Sequence, residues 1–329
     1  MTAAVDSMAF VGEVPWHKLG TRVTSEDDMY DWEQFSKHAG LDWSVKKEPL
    51  VTMSYAKDIA VKSQVDTYAI DDLEHNTSAY ATIREDNNTI LGTVGAGYRV
   101  LQNNEAFKFF QSWLDTKEVA LHTAGSLYDG KKVWVLAQIT KDYLTDIVPG
   151  DSICKFLLLS NGHDGMTSVR VGFSPTRVVC ANTLSMAHTS GRLIRLIHSR
   201  QVQNNLSEIK ETINLINQEF ETTAKKYRYL TERDINTADL EKYIKIVLNV
   251  KDDKKLSTRQ SNIIQDVTNL MDAPNQKIPG ISGTYWAAFN AVNTYFNHKY
   301  GHNDNSRMNN MWFGKGDNNA LKTALQLAG

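Results

Sequence analysis

The hydrophobic period of this chain changes once, near Leu206, and that change constrains the fold more than any other feature. Up to about residue 200, apolar residues come in short runs: Tyr68 to Ile70, Tyr80 to Ile83, Ala120 to Leu127, Val133 to Ile139, Ile153 to Leu159 and Thr167 to Phe173. Runs of this length, bounded by Gly, Asn, Asp and Ser, read as the strands of a meander and hairpins. Beyond the change, Leu206, Ile209, Ile213, Ile216 and Phe220 recur every three or four residues, the stripe of a long amphipathic helix. Strands first and helices afterwards predict an α+β fold rather than an alternating β/α one. We expect a mainly antiparallel β domain with few helices over 1–200. A helical region over 201–329 then packs on it or extends from it.

Local signals place several elements. An irregular, aromatic-rich start leads into a short helix at Trp32 to Ala39 and an edge strand near Leu41 to Val45. Asn103 reads as the N-cap of a helix whose stripe is Phe107, Phe110 and Leu114. Asp129-Gly130 supplies the positive φ angles of a tight hairpin turn. The loop Asn161-Gly162-His163-Asp164-Gly165 closes a second hairpin. Ser174-Pro175 is expected to interrupt its second strand, with Arg177 to Cys180 as a last short one. Further helices are expected from Thr237 to about Leu248, from Ser257 to Met271 and from about Gly283 to Tyr300.

The formal net charge of −2 gives no global attraction to nucleic acid or anionic lipid. No stretch approaches the ~18 apolar residues of a membrane span. Met1 to Gly12 has neither the basic start nor the apolar run of a signal peptide. The expected location is therefore the cytoplasm, without membrane attachment. Cys154 and Cys180 both sit in apolar runs and read as buried small hydrophobes. No Cys or His spacing fits a metal site, and no Gly-rich phosphate or dinucleotide motif is present. Neither a metal nor a cofactor is expected.

The most informative local pattern is charge. Between Asp164 and Glu208 the chain has no acidic residue, yet it carries Arg170, Arg177, Arg192, Arg195, Arg200, His188 and His198. The arginine fork matches phosphate oxygens bidentately and stacks on bases. If Arg170 and Arg177 stand on neighbouring strands they line one sheet face, and Arg192, Arg195 and Arg200 continue the track along a nucleic-acid backbone. The plainer reading is a set of solvated arginines paired with Glu26, Asp27 and Asp28.

The other candidates read first as ordinary structure. His163 and Asp164 invite an acid/base role, but Asn-Gly and Asp-Gly are turn chemistry first. Trp16 and His17, in Trp16-His17-Lys18-Leu19-Gly20, suit a pocket wall, or Trp16 simply anchors the N-terminal segment on the sheet. Late aromatics such as Trp286, Phe289 and Phe296 fall at helical spacing and read as core before base-stacking platform. No carboxylate pair or nucleophile with a base is recognisable, so an enzyme is the less favoured reading.

Several strings occur together in a specific order: Val14-Pro-Trp-His-Lys-Leu-Gly20, Ser160-Asn-Gly-His-Asp-Gly165, Arg177-Val-Val-Cys-Ala-Asn-Thr-Leu184, the run Arg192 to Arg200, and Trp286 to Val292. On these the chain resembles the phage/plasmid-like protein family, a domain-of-unknown-function family (number 932), from about Phe10 to Leu325. The resemblance implies a phage or mobile-element protein acting in the cytoplasm of a bacterial host, and carries no catalytic residues with it. The family's setting and its strand-then-helix layout are similar to those of single-strand annealing proteins. The leading expectation is therefore a protein that binds single-stranded DNA, as a homo-oligomer, and assists annealing or recombination. The alternative is a protein-binding module, such as an inhibitor of a host defence or replication protein.

Overall fold

A computed structural model describes residues 5–12, 19–52, 78–141, 144–177, 194–202, 204, 214–250, 256–300, 323–324 and 326–327. The described strands are β1 (Val5–Phe10), β2 (Thr21–Arg22), β3 (Val45–Pro49), β4 (Ala79–Arg84), β5 (Ile90–Gly95), β6 (Val119–Leu127), β7 (Lys132–Ile139), β8 (Leu144–Val148), β9 (Asp151–Gly162), β10 (Val169–Arg177) and β11 (Ile194–Leu196). The helices are α1 (Trp32–Ala39), α2 (Asn103–Phe107), α3 (Gln111–Asp115), α4 (Asn214–Thr231), α5 (Thr237–Val247), α6 (Thr258–Met271) and α7 (Tyr285–Thr294). The molecule is α+β, as the change of period predicts.

The strands form two sheets. The larger has the order β11-β10-β9-β7-β6-β1-β2, and β8 pairs with the start of β9 beyond the end of β7. Every described pair in it is antiparallel except β1 with β2. The smaller sheet is the antiparallel meander β3-β4-β5. Strand β9 is the spine of the larger sheet. Its twelve residues are almost wholly buried, which explains the continuous apolar run SICKFLLL.

One face of the large sheet carries the principal core. Val133, Val135, Leu157, Leu159, Val171 and Phe173 project from it and meet the helices. Phe173 packs edge-on against Phe220 of α4, at 5.5 Å between centroids. Trp286 of α7 lies fully buried against Tyr227 and Phe289. The C-terminal helices therefore share a core with the sheet. The opposite face holds a second buried cluster of Met8, Phe10, Trp134, Leu136, Phe156 and Leu158.

Helix α1 occupies the predicted span. Asp31 caps it by accepting from the amides of Glu33 and Gln34, and Gly40 ends it in the left-handed conformation. Two expectations need correction. Asn103 is not an N-cap: Gln102 takes that place in a capping box with Glu105, and the buried Asn103 turns its amide to the carbonyls of Leu41 and Trp43. Nor does Ser174-Pro175 interrupt a strand. Strand β10 runs through it, and Pro175 pairs with Lys155 on β9. Strand β11 reaches only Val169 to Val171, so at Pro175 no described strand lies on the other side. A missing amide proton is tolerated at such an edge. The expected strand Arg177 to Cys180 lies otherwise outside the described residues, as do Tyr68 to Ile70 and Cys180.

The smaller sheet is seated on the β9–β10 loop. A Cβ at Gly92 would collide with the Asp164 backbone, 2.7 Å from its Cα and closer still to its carbonyl. Gly165, at φ 73°, comes equally close to Thr93. The hydroxyl of Thr82 donates to the His163 carbonyl at 2.6 Å, and that of Tyr98 to the Gly162 carbonyl at 2.9 Å. Backbone meets backbone here, so neither side can give way cheaply. Gly92→Ala is expected to cost about 1–3 kcal/mol, read as a fall in the urea midpoint. An unchanged midpoint would show that the two sheets are not held together at this point.

Candidate functional site

Of the residues singled out in the sequence, His163, Asp164, Arg170 and Arg195 lie on the β9–β10 hairpin and its neighbour β11. His163 opens the connecting loop and is fully buried. Asn103 offers its amide protons to Leu41 and Trp43, so its Oδ1 is left to accept from His163 Nε2 at 3.0 Å. That assigns the proton to Nε2 and leaves Nδ1, which has no partner among the described residues. Burial pushes the imidazole down to about 3, with smaller pushes from His198 and Arg84 against a pull from Asp164. The ring is neutral at pH 7 and shut away from solvent.

Asp164 is occupied by its own turn. One oxygen accepts from the amides of Met166 and Thr167, the other from the Thr167 hydroxyl. His163 and Asp164 thus pin a corner, and neither side chain is presented for proton transfer. Trp16 and His17 lie outside the described residues. Cys154 is buried, and burial pushes its thiol up to about 11 against a weaker pull from Gln138. Among the described residues no group of three or more His, Cys, Asp or Glu could hold a metal, and no helix is long and apolar enough to cross a membrane.

The arginines are only partly brought together. Arg170 of β10 and Arg195 of β11 are direct cross-strand partners on one face. Arg170 is buried, at 8% exposure, while Arg195 is exposed. Neither makes a hydrogen bond or ion pair to a described residue, and Arg170 Nε is buried without a partner. Burial, then the charge of Arg195, pulls the Arg170 guanidinium down. Arg200 follows β11 and is exposed. The expectation that Arg170 and Arg177 share a face fails. Both stand on β10, seven positions apart in unbroken register, and an odd separation assigns the two positions to opposite faces. Arg192 lies outside the described residues. The pairing with acidic residues near the N-terminus is not seen for Asp28, which bonds His38 at 2.9 Å.

Two neighbours of this pair were not read from the sequence as part of a binding surface. Ser160 of β9 is the partner of Arg170 on its other side, is fully buried, and has a hydroxyl without a partner among the described residues. Lys132 lies on β7, two residues before Trp134, which is in turn the partner of Ser160. Lys132, Trp134, Ser160, Arg170 and Arg195 therefore lie on one face. A signal for Ser160 was present: hairpin partners are equidistant from the loop centre, and Gly165 is midway between Ser160 and Arg170.

A family model described as "Domain of unknown function (DUF932)" matches residues 90–313, which include both core sheet hairpins, the arginine pair and most of the C-terminal helices. No curated protein and no solved structure matches the chain. With more than half of its residues under that one model, the chain belongs to the DUF932 family.

Proposed function

We propose that this protein binds single-stranded DNA along the β10–β11 edge, with Arg170, Arg195 and Arg200 holding phosphates. The observation that supports it most is the Arg170–Arg195 pair: two arginines in direct cross-strand register, with no ion pair to a carboxylate among the described residues. Like charges directly opposite on a sheet destabilise it. An anionic ligand laid across the pair relieves that cost, and a nucleic-acid backbone supplies such charges in series. The resemblance to phage/plasmid-like proteins extends the reading to strand annealing or recombination in a mobile element within a bacterial cytoplasm, by an oligomer of this chain. Arg177, at the far end of β10, belongs to a different surface in this reading.

The test is binding to a labelled single strand of about 40 nucleotides across a salt series, with duplex as control. Tight, strand-selective binding that weakens with salt is expected. Arg195→Ala together with Arg200→Ala should lower the slope of log affinity against log salt by about 1.4, or ~0.7 for each phosphate no longer neutralised. A slope identical to that of the unmodified protein would remove both arginines from the interface.

A second reading, a protein-binding module that inhibits a host protein, has its own observation. Met166 and Ile197 are 92% and 73% exposed, and antiparallel pairing brings them to the same end of β10 and β11. Large apolar side chains so exposed favour a protein partner. Binding of that kind survives high salt, which separates it from the first reading.

A further inference from the structure

We infer that this chain associates head to tail with copies of itself, the acidic turn of one copy, Glu26 and Asp27, seated on the basic edge of the next, Arg195 and Arg200. The inference goes beyond the single-strand reading and stands on separate observations.

The first is a segregation of charge. Between Arg22 and Lys37 lie five acidic residues, Glu26, Asp27, Asp28, Asp31 and Glu33, and no basic one. Between Asp164 and Glu208 the reverse holds, with arginines and no acid. Part of the acidic run is engaged already, since Asp28 bonds His38 and Asp31 caps α1. Glu26 and Asp27 are exposed and form no ion pair with a described residue. Arg195 and Arg200 are exposed and equally without one. Exposed Arg99 joins that edge, because its amide donates to the His198 carbonyl at 3.1 Å. Asp164 is held in its own turn.

The second is placement. The large sheet ends at β11 on one side and at β2 on the other. The acidic run follows β2 directly, where the Val23 amide still donates to Phe10, and α1 packs on β1 and β6. From β11 to β6 is four strand spacings, about 19 Å, and to β2 six, about 29 Å. An ion pair needs nitrogen and oxygen within about 4 Å. The two complementary runs therefore cannot meet within one chain, and they can meet between chains.

The third is apolar surface at the basic edge. Exposed ion pairs set register and encounter rate more than affinity. Met166 and Ile197, 92% and 73% exposed, stand beside Arg195 and offer area to bury. Such a contact joins unlike edges, so each pair of copies keeps one edge of each kind unused and growth continues past two. The neighbour's carboxylates then occupy the arginines that hold phosphates in the single-strand reading. Strand and neighbour compete, and the assembly is the strand-free form of the chain.

The experiment follows the mass of the full-length protein by sedimentation velocity at about 50 mM and about 500 mM salt. Arg195→Glu with Arg200→Glu reverses one edge, and Glu26→Lys with Asp27→Lys reverses the other; all four positions are exposed. At low salt the unmodified protein should exceed the mass of a dimer as its concentration rises, and at high salt it should separate. Either double variant alone should associate roughly 10-fold more weakly. An equimolar mixture of the two should regain the association, because the reversed edges complement each other. A short oligothymidine should break up the unmodified assembly. A monomer at every concentration in low salt overturns the inference and leaves strand binding untouched. Association that high salt or neither variant weakens, or a mixture that associates no better than its components, overturns it as well. Rescue in the mixture with no effect of the oligothymidine upholds the contact and removes Arg195 and Arg200 from strand binding.

Discussion

Trp286→Ala is expected to bring the protein close to unfolding at room temperature, whereas Trp286→Phe is expected to leave it folded but weakened. Trp286 is fully buried on α7, 4.6 Å between ring centroids from Tyr227 and 5.9 Å from Phe289. Its indole nitrogen donates to Asp151 Oδ2 at 2.7 Å, and Asp151 is itself fully buried at the start of β9. One side chain thus joins the C-terminal helices to the spine of the large sheet. Truncating a buried Trp to Ala costs about 3–5 kcal/mol through lost burial and the cavity left behind. Taking a donor from a buried carboxylate adds about 1–3 kcal/mol. Domains of this kind hold only ~5–15 kcal/mol in total. Phenylalanine keeps most of the packing and loses the donor, so its cost is the second term alone. Urea midpoints of the three proteins check this. A Phe variant with the midpoint of the unmodified protein would show that the Trp286–Asp151 bond contributes nothing net.

The same side chain illustrates what was legible in the sequence. Strand runs and helix stripes are local, and they placed α1, the hairpins, α5 and α6 close to their observed limits, while Trp286 fell at helical spacing without showing its partner on β9. Misreadings arose where a distant partner decided the outcome. Asn103 looks like a cap because a cap needs only its own amide neighbours. Its amide is instead claimed by carbonyls about sixty residues away, and Gln102 takes the cap. Ser174-Pro175 looks like a break because a central strand cannot lose a donor, but β10 has an open side there.

The candidate site follows the same division. The acid-free stretch was visible as composition, and composition carries no information about faces. Register alone sets Arg170 beside Arg195 and turns the Arg177 position to the other side. His163 could be read as a turn residue or as a base, since burial is not written in a pentapeptide of Asn, Gly, His, Asp and Gly. The docking of Gly92 and Thr82 on that loop, from about eighty residues earlier, decides it. Ser160 drew no attention as a binding residue for the opposite reason: an ordinary residue becomes notable only when its cross-strand partner is a buried arginine whose Nε has no partner among the described residues.

Stability is expected to fall steeply as pH drops from 6.5 towards 4, with His163 as the largest contributor. Burial holds its folded-state value at about 3, against 6.5 for a free imidazole. His122 is lowered in the same way to about 4, and His198 is lowered by burial against the pull of the Arg99 and Thr167 carbonyls and Asp164. The unfolded chain therefore binds protons that the folded one refuses. Stability is complete above 6.5, is lost progressively as pH falls through the window down to about 3, and is flat with respect to His163 below it. Each unit of such a shift corresponds to about 1.4 kcal/mol, so His163 alone removes on the order of 5 kcal/mol by the lower end. Asp86, held down by Arg84, adds to the loss at the acid end, while the raised Asp6 opposes it. His163→Gln keeps a donor for Asn103 Oδ1 and removes the titration. Urea unfolding at a series of pH values should show the variant's stability falling less steeply between 6.5 and 4, by up to one proton's worth, about 1.4 kcal/mol per pH unit. If the variant and the unmodified protein have the same slope, His163 is not the group that the fold keeps neutral, and the buried corner between the two sheets takes up protons without opening.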